Sequence, residues 1–118
     1  MANETSLSIV ELIGAAEARP PRVETDNPDA YDCLLRGREQ YRLFSKDGNA
    51  AARTLYERAI ALDPDYAAAH AALAETYIHD FFMGSTEALD RAYELAQTAR
   101  DLDPSLPLAV PSPPLTLP

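Results

Sequence analysis

The chain has 118 residues and a formal net charge of −9, with 47% apolar and 25% charged residues. That length holds one small domain, and the negative field argues against nucleic acid or an anionic membrane surface as a partner. The lone cysteine, Cys33, excludes an intramolecular disulfide, and no apolar run approaches the roughly 20 residues that cross a bilayer.

The start, MANETSLSIVELIGAAEA, carries Glu4 and Glu11 and no early Lys or Arg. It lacks the basic start and unbroken apolar run of a signal peptide, so a cytoplasmic location is expected. A short helix is expected here, capped by Ser6 or Ser8, running to about Ala18 and ended by Pro20 and Pro21. With the linker closed by Pro28 it makes a first segment, residues 1–28. From Asp29, Tyr31, Leu34, Leu35, Tyr41 and Phe44 recur at helical spacing. SKDGN reads as a turn, and a second helix is expected over about Ala50–Leu62, with Ala52, Leu55, Tyr56, Ala59 and Ile60 on one face. Asp63-Pro64 stops it, and Asp65 is expected to cap a third, alanine-rich helix running to Phe81 or Phe82. After a turn at Met83-Gly84, Ser85 or Thr86 is expected to cap a fourth, about Glu87–Leu102, with Leu89, Ala92, Tyr93, Ala96 and Ala99 inward. Asp103-Pro104 stops it as before.

Leu-Asp-Pro therefore occurs twice, forty residues apart. At that offset Ala52 falls on Ala92, Leu55 on Leu95, Ala59 on Ala99 and Leu62-Asp63-Pro64 on Leu102-Asp103-Pro104. The small and apolar residues coincide while the polar ones differ, which is the mark of a shared packing geometry. The expected architecture is all-α: two helix–turn–helix repeats, about 29–64 and 65–104, within a unit spanning 29–106. A Pro-rich tail, 107–118, whose prolines forbid a continued helix, is expected to be disordered.

These residues resemble the tetratricopeptide repeat. The first unit carries Gly37, Ala52, Tyr56, Ala59 and Pro64, and the second Leu73, Ala74, Tyr77, Ala92, Ala99 and Pro104. Small residues let helix axes approach to about 8 Å while aromatics fill wider gaps. Two departures stand out: the period is forty rather than about 34, and Arg36 precedes Gly37 where the family has Leu. The resemblance implies a non-catalytic module that binds a protein or peptide along the first helix of each unit. Tyr31, Leu34, Arg38, Tyr41 and Arg42 would line that groove from the first unit, and Ala68, Ala71, Glu75, Ile78 and His79 from the second. Arg38 and Arg42 suit bidentate binding of a carboxylate. DAYDCLLRGREQY followed by YERAIALDPDYAAAHAALAETY also looks like the repeat regions C-terminal to bacterial adenylate/guanylate cyclase domains. That implies, as an alternative, a regulatory segment or relative of a nucleotide-cyclase-type signalling protein.

Catalytic and metal chemistry find little footing. Glu75 and His79 stand one turn apart, but His70 and His79 are about 900° of helix rotation apart and diverge. Asp63, Asp65, Asp101 and Asp103 sit at helix ends, where capping explains them and calcium-loop spacing is absent. Cys33, near Arg36 and Arg38, reads as a packed helix cysteine rather than a reactive one. No phosphate loop or nucleophile motif is present in the sequence, and no cofactor is expected. Two repeats leave end faces open, so Leu89, Tyr93, Leu95 and Leu102, with the N-terminal helix, suggest a homodimer.

Overall fold

Asn27 opens the first helix. Its side-chain oxygen accepts from the backbone N–H groups of Asp29 and Ala30 at 2.9 and 3.0 Å, and Pro28, which has no N–H to satisfy, occupies the first helical position. The computed structural model describes residues 25–106. The N-terminal helix and the tail expected from the sequence lie outside them. Four helices follow in chain order: α1 (Pro28–Tyr41), α2 (Lys46–Leu62), α3 (Ala67–Phe82) and α4 (Ala88–Leu102). There is no strand among the described residues. Pro28 thus belongs to the helical unit rather than to a linker.

Consecutive helices pack as two hairpins, α1 on α2 and α3 on α4, joined mainly through α2 and α3, with a smaller contact between α1 and α3. This is the expected all-α repeat array. The core is small-residue packing: Ala30, Ala52, Ala59, Ala69, Ala74, Ala92 and Ala99 are buried, with Tyr56, Tyr66, Leu34 and Leu73 filling the wider spaces. At the forty-residue offset Gly37 falls on Tyr77 and Tyr56 on Ala96. The large and small residues at these two positions thus trade places between the hairpins, keeping their summed volume roughly constant, which a core tolerates best. Cys33 is a buried member of this core.

The paired Leu-Asp-Pro phrases fold alike. Asp63 and Asp103 have backbone angles of −146°/94° and −146°/93°, and their N–H groups donate to Ala59 and Ala99 at 2.9 Å. Each side-chain oxygen then accepts, at 3.1 Å, from the backbone N–H two residues on, Asp65 or Ser105. The N–H groups of Tyr66 and Leu106 donate back to the Asp63 and Asp103 carbonyls, each at 3.1 Å. These aspartates close one helix and turn the chain, as Asx turns do.

Several boundaries differ from the sequence reading, each for a local reason. SKDGN is not a turn. Ser45 caps α2, its hydroxyl accepting from Gly48 N–H at 2.9 Å, and Lys46 through Asn49 form the first turn. Between the two Leu-Asp-Pro phrases, α3 and α4 are separated by the connection 83–87, so the extra length of the repeat is shared by helix and turn. Asp65 does not cap α3 and neither Ser85 nor Thr86 caps α4. Tyr66 and Glu87 hold those cap positions without a side-chain hydrogen bond. Phe44 leaves the apolar face of the first helix, because it sits beyond α1 at φ 48° and points outward, 76% exposed. Leu35 is exposed as well, and the inward face is Ala30, Cys33, Leu34 and Gly37. Leu95, expected on an open surface, is only 5% exposed and packs in the core.

Candidate functional site: the face shared by α1 and α3

Tyr41 is the hinge of this face. Its hydroxyl donates to the Glu75 carbonyl at 3.3 Å, and the His79 ring stands edge-on to its own, 6.5 Å between centroids at 80°. Residues 41, 75 and 79, thirty-odd positions apart in sequence, are joined by the α1–α3 contact. Tyr56 reaches the same place from α2, its ring lying over Gly37. Burial pushes its hydroxyl up to about 12, with Glu75 adding to the shift and Arg38 opposing it. That hydroxyl is buried and has no hydrogen-bond partner among the described residues. Burial, then Glu75, also raises Tyr41. The sequence reading had placed Tyr56 with the packing residues only; its position beneath the arginines also makes it floor to this face.

Arg38 and Arg42 lie exposed on this face and form no ion pair among the described residues, unlike Arg36 with Asp32 at 3.1 Å. Tyr31 and Ala71 are half-buried. Leu34, at 2% exposure, and Ala68 and Ile78 are buried, so they support the face from below and present no surface to a partner. The groove residues named from the sequence thus divide into a surface set (Tyr31, Arg38, Tyr41, Arg42, Ala71, Glu75, His79) and a buried set.

Glu75 is half-buried, and burial raises its carboxyl above the usual range while the Arg38 guanidinium pulls it down. A carboxyl with a raised folded value favours the protonated fold. Its stability cost is therefore absent below the ordinary value of 4.5 and grows as pH rises through the folded value. Glu75→Gln is expected to melt above the wild type at about pH 7, with the two melting points converging by about pH 4. A wild type that melts higher at neutral pH would mean that Arg38 outweighs burial.

The strongest polar contacts lie between the repeats and escaped the sequence reading. Arg53 of α2 donates to the Thr76 hydroxyl at 3.0 Å, the Thr76 carbonyl at 2.9 Å and the Asp80 carboxylate at 2.7 Å. Its guanidinium lies 3.8 Å from the centre of the Tyr77 ring. Asn49 donates to the Thr76 carbonyl and the Asp80 carboxylate, both at 3.1 Å. The available signal was a pair of i, i+4 polar couples, Asn49/Arg53 and Thr76/Asp80, each interrupting an otherwise small and apolar face. His70 sits at the junction too: its Nε2–H donates to the Pro64 carbonyl at 2.8 Å, and its Nδ1 is buried with no hydrogen-bond partner among the described residues. Among the described residues no group of three or more His, Cys, Asp or Glu is placed to hold a metal ion, and no helix is long and apolar enough to cross a membrane.

Stacked antiparallel hairpins with alanine crossings and matching Asp-Pro exits define a helical-repeat chain. Residues 41–78, which span α2 and the first three turns of α3, match the family model described as TPR repeat. The chain is also 39% identical over 106 residues to a protein of Rhizobium meliloti (strain 1021) named "Putative adenylate cyclase 3". The match covers 86% of this chain and 18% of that protein's length. No solved structure matches the chain significantly.

Proposed function

We propose that the chain is a protein-interaction module whose α1/α3 face takes a peptide or partner helix. The observation that carries this reading is the gathering of Arg38, Tyr41, Arg42, Glu75 and His79 on one face, with both guanidinium groups exposed and unpaired among the described residues. Two arginines one helical turn apart on a chain of net charge −9 select an acidic segment of a protein rather than a nucleic acid. The TPR match supports a binding role without catalysis. Arg38→Ala combined with Arg42→Ala is expected to reduce partner recovery in a native-cell pull-down at least tenfold while leaving helicity unchanged. Recovery equal to wild type would return both arginines to ordinary exposed side chains.

A second reading rests on the similarity to the rhizobial protein: the array serves as a regulatory segment or relative of a nucleotide-cyclase-type signalling protein. Cyclic-nucleotide output from a catalytic domain encoded beside or within the same reading frame, measured with and without the array, separates the two readings.

We also propose a homodimer through the outer face of α4. Leu89 and Tyr93 are half-buried there and Leu102 is exposed. At the forty-residue offset Leu89 and Tyr93 replace Asn49 and Arg53, the residues with which α2 grips α3. Light scattering across a tenfold concentration range is expected to give about twice the 12.9 kDa chain mass. A constant monomer mass would overturn the dimer.

A further inference from the structure

Where the α1–α2 turn meets the end of α3 there is a cavity of about 420 Å³, walled by Phe44 and Met83 and floored by Asn49 and His79, with Lys46 and Asp80 at its edges. We propose that this cavity anchors a bulky apolar side chain of a peptide partner, with a carboxylate beside it held by Lys46. The proposal rests on reading the chain as a peptide-binding array and names a second, separate foothold within it.

Four observations carry it. First, the walls are unspent apolar surface: Phe44 is 76% and Met83 73% exposed, with Leu43 and Phe82 exposed beside them. A cluster of this kind on a small chain marks a docking surface. Second, Phe44 is held outward by a left-handed backbone at φ 48°, an uncommon state for a bulky side chain that costs free energy. Its only ring contact among the described residues is with Tyr41, at 5.8 Å. Through Tyr41 and His79 the cavity is continuous with the α1/α3 face, since the three rings form one row. Third, Asn49 is 6% exposed, yet its side-chain oxygen has no partner among the described residues. Its nitrogen is fully engaged by Thr76 and Asp80. A buried acceptor without a partner, on a residue that lines the cavity, gains a hydrogen bond when an occupant's N–H displaces the floor enough to reach it.

Fourth, charge sorts the occupant. Asp80 is already neutralised by Arg53 at 2.7 Å, whereas Lys46 forms no ion pair among the described residues. Lys46 is also the first residue of α2, where free N–H groups point outward and a cation opposes the helix dipole, with only Asp47 in the same turn to offset it. An acidic group beside the apolar anchor relieves that repulsion. A volume of about 420 Å³ admits one large side chain and its adjoining backbone, at the small end of ligand sites.

The test is an amide chemical-shift titration of the ¹⁵N-labelled full chain with an acetylated, amidated heptapeptide of serine and glutamate around one central leucine. Saturating shifts are expected at Phe44, Lys46 and Met83, with at least tenfold weaker binding when alanine replaces leucine or when lysines replace the glutamates. Lys46→Glu and Met83→Ser alter exposed side chains and are each expected to weaken binding about tenfold with an unchanged circular dichroism spectrum. Equal affinity for the alanine or lysine peptide overturns the proposal. So does a response confined to Arg38, Tyr41 and Glu75, which leaves the α1/α3 reading standing. Absence of any saturating shift overturns it too, while the arginine pull-down decides the first face independently.

Discussion

Arg53→Ala is expected to lower stability by about 2–3 kcal/mol, seen as a fall of roughly 10–20 °C in melting temperature. The side chain makes three hydrogen bonds and a cation–π contact, and its removal leaves the partly buried Asp80 carboxylate without a counter-charge, held only by the Asn49 amide. The ion pair is about one quarter to one third exposed, with side-chain values of 24% and 34%, which places the expected cost below that of breaking a fully buried pair. It is well above the 0–1 kcal/mol typical of surface pairs. Arg53→Lys is expected to recover only part of the loss, because one ammonium does not reproduce a planar fork aimed at three acceptors. Asp80→Leu combined with Arg53→Met removes both charges and is expected to be milder than Arg53→Ala alone. A loss below about 1 kcal/mol for Arg53→Ala would reduce the contact to an ordinary surface ion pair.

Overpacking the helix crossings is the second large effect. A Cβ on Gly37 would stand 2.4 Å from Tyr56 Cε1 and 2.7 Å from Cδ1, and Tyr56 is completely buried, so the ring has nowhere to swing. Alanine gains about 1 kcal/mol over glycine in a helix interior. The clash costs typically 1–3 kcal/mol, and with the 2.4 Å approach at its upper end Gly37→Ala is expected to destabilise by up to about 2 kcal/mol net. Ala59→Leu and Ala99→Leu have no propensity gain to offset the added carbons at two wholly buried positions, and each is expected to cost about 2–3 kcal/mol. Thermal melts of the three variants check this, and unchanged midpoints at Ala59 and Ala99 would contradict close crossings there.

The crossings were legible because they depend on residue size at a fixed spacing. Ala52, Ala59, Ala92 and Ala99 announce close approach before any partner is known. The Arg53 contacts were not, because a pair of polar residues one turn apart looks the same on a solvated face as on a gripping one. Only the register of α2 against α3 tells which it is. Phe44 illustrates a different blind spot. Its spacing continues the pattern of Tyr41, but the chain has already left the helix, and periodicity does not report a change in backbone angle. Ser45 was readable as a cap in principle. The glycine and asparagine that follow it made the stretch look like a turn, although Gly48 sits where an added Cβ would meet the Gln40 carbonyl at 2.5 Å. On the α1/α3 face, the resemblance to the repeat family grouped Arg38, Tyr41, Arg42, Glu75 and His79 with Leu34 and Ile78. A resemblance does not report depth, and Leu34 and Ile78 lie beneath the surface.

The twin exits at Asp63 and Asp103 make the hairpin a transferable building unit. A chain that leaves two helices with the same dihedral angles and the same three hydrogen bonds makes the same local turn at both exits. Residues 67–106, one full forty-residue period, grafted after Leu106 would therefore follow α4 as α3 follows α2, through the same turn. The direction in which the chain leaves each hairpin is written into a three-residue phrase, set apart from the side chains proposed to choose a ligand.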